Sequence, residues 1–264
     1  MANLEHLTLL KTNTLTWDEW RKKNPQVELD LSSANLYGYN LTGANLQGVN
    51  LSHVILENAL LVQANLTNAD FNSANLNHAN FQEANLSYSN FSLAKLSGAN
   101  LRKANLSFAN LIGVDLSYSN LQDALMLNAN LIGTNLKDTN IKGADLGGAK
   151  LNRANLWKAK LHDANFNEAE LINANLYEVE AMGAYFYKAN LTKANLTKAH
   201  LSGAYLLQAD MSFSDLTGAD LRWANLKSAN FVGANLTGAK LQGAKLFGAN
   251  FERAIVNNQK SGFS

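Results

Sequence analysis

Glu168 with Glu170 and Glu178 with Glu180 form two closely spaced carboxylate pairs, and five histidines could in principle hold a metal. Acid–base catalysis by two carboxylates needs one protonated and one ionised. Each of the four has a lysine twenty residues away, among them Lys150, Lys158, Lys160, Lys188 and Lys198. Opposite charges keep carboxylates ionised, so solvated salt ladders are the plainer reading. His6, His53, His78, His162 and His200 are scattered through the chain, which argues against a metal centre. The absence of cysteine removes thiolate nucleophiles, thiolate metal sites and disulfides. No GxSxG, P-loop or GxGxxG motif is present. No catalytic, cofactor or metal residue is expected, and neither is an enzyme.

The elements that would position any site follow from a strict internal repeat. Of the 45 residues at every fifth position from Leu31 to Phe251, 34 are Leu, 7 Phe, 2 Met, 1 Ile and 1 Ala. Small residues, mostly Ala, lie two positions earlier, and Asn or Asp fills most positions immediately before. Of the 17 glycines, 15 fall two residues after the central position. A period of five fits neither a continuous helix nor a straight strand, because successive leucines would scatter around the helix axis or alternate between strand faces. The chain must turn a corner in every repeat, using Asn, Asp and Gly as turn residues. Four corners close a square coil of about twenty residues, with the small and central residues inward.

Charges test that coil length independently. Residues twenty apart would stack at about 4.8 Å, where like charges repel. All ten charged pairs at this offset are opposite in sign, as in Glu83/Lys103/Asp123 and Asp138/Lys158/Glu178/Lys198. Aromatics obey the same offset: Phe71/Phe91, Phe166/Phe186 and Phe231/Phe251 inside, Tyr88/Phe108, Trp157/Tyr177 and Tyr185/Tyr205 outside. About eleven coils would make a rod on the order of 50 Å long. Such a solenoid needs covers at its ends.

Runs such as LTGANLQGVNL (41–51), LTKANLTKAHL (191–201) and FVGANLTGAKLQGAKL (231–246) resemble the pentapeptide-repeat family. The resemblance implies an all-β fold, a right-handed quadrilateral parallel β-helix with type II and type IV turns. The leader WDEWRKKNPQVELDLSSANL (17–36) is similar to a segment preceding the repeats in bacterial, especially cyanobacterial, members.

Three regions are expected: an N-terminal helical cap over 1–28, the solenoid over 29–256 and a tail over 257–264. Helix is expected across 3–23, with Leu4, Leu7 and Leu10 on one face and a second turn opened by a Thr16–Glu19 capping box. Trp17 and Trp20 share a helix face and are expected to cover the first coil. At the other end Phe251, Ile255 and Val256 leave the last coil without an obvious lid, so a monomer and a C-terminal homodimer both fit. Ala181, at a leucine position, is expected to underfill the interior, with Met182 pointing outward.

With 22 basic and 21 acidic residues, no global field invites nucleic acid or an anionic membrane. The N-terminus lacks the pattern of a signal peptide, and polar residues interrupt every apolar run, so a soluble, cytoplasmic protein is expected. Two kinds of function are weighed. Outward-facing side chains that the fold does not require point to a non-enzymatic rigid scaffold or protein-interaction module, with Tyr185, Tyr187, Tyr205, Leu207, Tyr88 and Phe108 as a partner surface. Leu93, Ile112, Ile132, Ile172, Phe213 and Val232 line the neighbouring face. The other is what the family resemblance implies, DNA mimicry as in quinolone-resistance members that bind topoisomerase; the near cancellation of charge argues against it.

Overall fold

The computed structural model describes residues 2–12 and 14–256. The chain is a right-handed quadrilateral parallel β-helix, each side of each coil joined to the next coil by a parallel bridge at an offset of twenty, from Asp30↔Asn50 to Asn235↔Ile255. Coils are counted here from 29–48. The bonding pattern explains the offset. Leu31 N–H donates to Asn50 O at 2.8 Å and Asn50 N–H returns a bond to Leu29 O at 2.9 Å, so each coil satisfies the backbone of its neighbour.

Corners close locally. Ala34 N–H donates to Leu31 O at 3.1 Å, and the third residue of every described corner, from Ser33 to Arg253, has φ between 53° and 73°. That left-handed residue is the type II signature. Fifteen of these residues are glycine, which adopts the conformation without strain. Asparagine works in two directions. Asn100 Oδ1 accepts from Arg102 N at 3.2 Å within its own corner, while Asn100 Nδ2 donates to Asn80 Oδ1 at 3.0 Å one coil back.

The central Leu and Phe columns and the small-residue columns form one continuous core. The three interior phenylalanine pairs stack at 4.7, 5.1 and 4.8 Å, and Phe71 also meets Phe81 edge-on at 6.1 Å. Where Ser or Thr replaces the inner Ala, the hydroxyl finds a carbonyl: Ser89 Oγ donates to Leu86 O and Thr134 Oγ1 to Leu111 O. No buried hydroxyl is thereby wasted. Ala181 is fully buried and Met182 exposed.

Two helices, α1 (Leu4–Thr12) and α2 (Thr14–Lys23), cover the first coil. They begin and point differently from the expectation. Asn3 caps α1, its Oδ1 accepting from Glu5 N at 2.9 Å, and α2 has already started when Thr16 is reached. Leu4, at the free end of α1, is 78% exposed, while His6 and Leu10 are buried against the coil.

Trp17 is fully buried in the cap and stacks on half-buried Trp20 with centroids 6.1 Å apart. Polar atoms of the cap stand where a preceding coil would have been. Trp17 Nε1–H donates to Asn45 O at 2.7 Å, Asn45 N–H donates to Asp18 Oδ1 at 3.1 Å, and Arg21 Nη1 donates to Gln47 O at 2.9 Å. On another side Asn3 N–H donates to Asp30 O at 2.9 Å and Asp30 N–H to His6 Nδ1 at 3.3 Å. The opposite end differs: Leu241, Leu246 and Phe251 are only half-buried and Phe247 is 84% exposed. The tail expected over 257–264 lies outside the described residues.

Candidate functional site

Glu178 lies between two lysines, its oxygens 3.7 Å from Lys158 Nζ and 3.5 Å from Lys198 Nζ. A hydrogen bond from Tyr177, followed by the two lysine charges, holds its carboxyl below the ordinary value. Lys198 is pushed up in turn, through Tyr177 and Glu178, and donates to Tyr177 Oη at 3.2 Å. An ionised, cation-flanked carboxylate is a poor proton donor. Glu180 bridges to His200 along the column, but its nearest basic atom is His162 Nε2 at 4.0 Å. Among the described residues no group of His, Asp and Glu is arranged to hold a metal ion.

Most of the other charge ladders make no direct ion pair among the described residues. Lys158–Glu178–Lys198 is the ladder that closes to contact. The rest act through register, with charges of opposite sign stacked across solvent.

The aromatics expected to form a partner surface fall into two groups on the fourth side of the coils, whose first member is 44–48; exposed Tyr37, Tyr118, Phe213, Trp223 and Phe247 lie outside these groups. Tyr88 and Phe108 stack at 5.0 Å in the third and fourth coils. Tyr185 and Tyr205 stack at 4.8 Å in the eighth and ninth, and are 41% and 47% exposed. Exposed Leu125 and Leu127 extend the first group into the fifth coil. Gly147, Gly148 and Asn165 interrupt the side in the sixth and seventh, so the groups are not contiguous. Tyr187 and Leu207 are half-buried, and Lys188 Nζ already covers the Tyr187 ring at 5.1 Å. On the neighbouring face Leu93, Ile112 and Phe213 are exposed, while Ile132, Ile172 and Val232 are half-buried.

One expected stack does not form. No ring contact between Trp157 and Tyr177 occurs among the described residues. Cations take the Trp157 ring instead, with Lys137 Nζ at 4.5 Å and Lys158 Nζ at 5.3 Å from its centroid. A lysine over an indole face gains a cation–π attraction that a second ring would displace.

Among the described residues no helix is long and apolar enough to cross a membrane.

HetL, a pentapeptide repeat protein involved in heterocyst differentiation regulation from the cyanobacterium Nostoc sp. strain PCC 7120, is similar over 92% of this chain and 98% of its own, at 30% identity and a TM-score of 0.56. A trypsin-treated form of QnrB1, a plasmid-mediated fluoroquinolone resistance protein, is matched over 86% of this chain and 91% of its own, at 21% identity and a TM-score of 0.43. Rfr23, a pentapeptide repeat protein from the cyanobacterium Cyanothece 51142, covers 50% of this chain and 91% of its own, at 25% identity and a TM-score of 0.22. None of the curated proteins compared matches the chain. A family model described as pentapeptide repeats in eight copies matches overlapping spans from 28–63 to 214–253. With that match running from the first coil to the last, the chain belongs to the pentapeptide-repeat family.

Proposed function

We propose that the protein is a non-enzymatic rigid scaffold that holds a protein partner on the fourth side of its coils, at the Tyr185/Tyr205 stack. The observation that carries this reading is the exposure of both rings at positions where the repeat ordinarily places asparagine. An asparagine there would serve the fold through its corner and ladder hydrogen bonds; a tyrosine gives those up. Exposed, stacked aromatic surface on a rigid backbone is what a partner contact uses well, since little conformational freedom is lost on binding.

HetL's involvement in the regulation of differentiation supports an adaptor-like role for this chain. A topoisomerase-binding DNA mimic is the weaker reading. It requires a continuous anionic surface, whereas acidic and basic residues alternate along the columns here. Absence of gyrase supercoiling inhibition at micromolar protein would remove it.

The test is affinity capture from the native cell with the wild type and with a Tyr185→Ser/Tyr187→Ser/Tyr205→Ser variant. Loss of a captured partner by the folded variant is expected; unchanged recovery counts against this surface.

A further inference from the structure

We infer that the hollow beside the Tyr185 ring accepts a cationic side chain, an arginine or lysine, presented by the partner protein. The inference rests on the partner reading of this side and specifies its chemistry. The hollow has a volume of about 390 Å³ and is lined by Gly143, Asp145, Asp163, Asn165 and Tyr185, among others.

Each wall has a physical reason. Tyr205 covers one face of the Tyr185 ring at 4.8 Å. The column continues on the other side through Asn165 and Asp145, whose short side chains leave that face open towards the hollow. Asp145 is already oriented: its Oδ1 accepts from Asn165 Nδ2 at 2.8 Å and from Gly147 N at 3.1 Å. Its second oxygen has no hydrogen-bond partner among the described residues. Asp163 occupies a left-handed corner position with φ 56° and is exposed. Neither carboxylate makes an ion pair among the described residues, although Lys142 stands on the corner beside Gly143. Gly143 has no side chain, and the Asp123 carboxylate stands over this corner, its Oδ1 2.8 Å from where a Gly143 Cβ would lie.

Half-buried Trp157, Tyr187 and Tyr177 each have a lysine of the same chain near the ring: Lys137, Lys188 and Lys198, at 4.5, 5.1 and 5.7 Å. Among the described residues the Tyr185 ring, like exposed Tyr88, Phe108 and Trp223, has no such cation; what adjoins Tyr185 is two carboxylates without an ion pair. A guanidinium or ammonium entering the hollow would meet an aromatic face and carboxylate oxygens together, which reinforces cation–π attraction with charge-assisted hydrogen bonds.

The experiment titrates the protein, with its tyrosines isotopically labelled, with the capped tripeptide Gly-Arg-Gly and with its citrulline counterpart, followed by NMR of the tyrosine rings. Saturable shifts of Tyr185 and Tyr205 with the arginine peptide are expected, with a dissociation constant on the order of millimolar for one side chain. Citrulline, which is uncharged, should shift them little. An Asp145→Asn/Asp163→Asn variant should weaken binding at least about tenfold. That variant keeps its fold, because Asn replaces Asp throughout this repeat as a corner acceptor and tolerates the left-handed conformation. No saturable shift, equal binding of citrulline, or an unaffected asparagine variant would overturn the inference. If the tyrosine variant still loses its partner while these results fail, the surface stands and only its cationic ligand falls.

Discussion

Tyr185 and Tyr205 lie one coil apart with ring planes 6° from parallel and centroids at 4.8 Å. The contact joins two exposed side chains, so its worth to the fold is small, about 0.5–1 kcal/mol beyond area burial. Replacing either with Ser is expected to lower stability by about 1 kcal/mol or less, and a double-mutant cycle in thermal or denaturant unfolding should return a coupling of that size. A loss several times larger would mean that the pair is structural and not held in reserve for a partner.

Acid should weaken the Lys158–Glu178–Lys198 ladder. The Glu178 carboxyl is held below its ordinary value, primarily by Tyr177, so its contribution is present above the unfolded carboxylate range and is lost as pH falls through the lower, folded value. Lys198 is shifted upward, so its share persists through neutral pH and is lost only in strong alkali. Glu178→Gln should therefore show a smaller drop in melting temperature between neutral pH and pH of about 3 than the wild type does. An identical drop would show that the ladder contributes nothing beyond register. Being exposed, the ladder is expected to give a small effect that added salt reduces further.

The cap should be worth more than any surface ladder. Trp17 is fully buried and bonded to Asn45 O at 2.7 Å. Trp17→Ala is expected to cost about 3–5 kcal/mol. Trp17→Phe retains most of the packing and leaves Asn45 O without its donor, costing about 1–3 kcal/mol. Because a solenoid couples mainly neighbouring coils, hydrogen exchange should quicken in the coils at 29–68 before it does near 200. Uniform quickening along the chain would contradict that picture.

Ala181 is the one central position without a large side chain, and it is fully buried. Ala181→Leu restores the residue found one coil before and after it, Leu161 and Leu201. A stability gain of about 1–3 kcal/mol is expected from apolar burial if the coil has kept its cross-section. A loss on denaturant unfolding would show that its neighbours have already closed over the alanine.

Much of this fold could be read from the sequence because its two controlling numbers, five residues per side and twenty per coil, are written in separate residue types. Leucine reported the first; opposite charges and paired phenylalanines reported the second, as Phe71/Phe91 and Lys158/Glu178 now show in contact. What escaped depended on contacts between elements with no periodic relation. Asp18, Arg21 and His6 meet Asn45, Gln47 and Asp30 only because the cap folds across the end of the solenoid, and no spacing rule announces that. Tyr187 and Leu207, expected to face outward like Tyr185, are half-buried, and Lys188 covers the Tyr187 ring. The Trp157 ring was expected to stack on Tyr177, but lysines in the same columns compete for its face. The hollow beside Tyr185 escaped as well. Its signal was present in Gly143, Asp145 and Asp163, but only their stacking beneath a tyrosine makes a concavity of them.

The most direct test of the scaffold reading is photo-crosslinking in the native cell with p-benzoylphenylalanine placed at Tyr205 or, as a control, at Thr197. The two positions occupy the same coil on opposite sides, so stability, expression and distance along the rod are matched. The account predicts a discrete partner adduct from position 205 and none from position 197. Equal adducts from both positions, or an adduct from 197 alone, would contradict it.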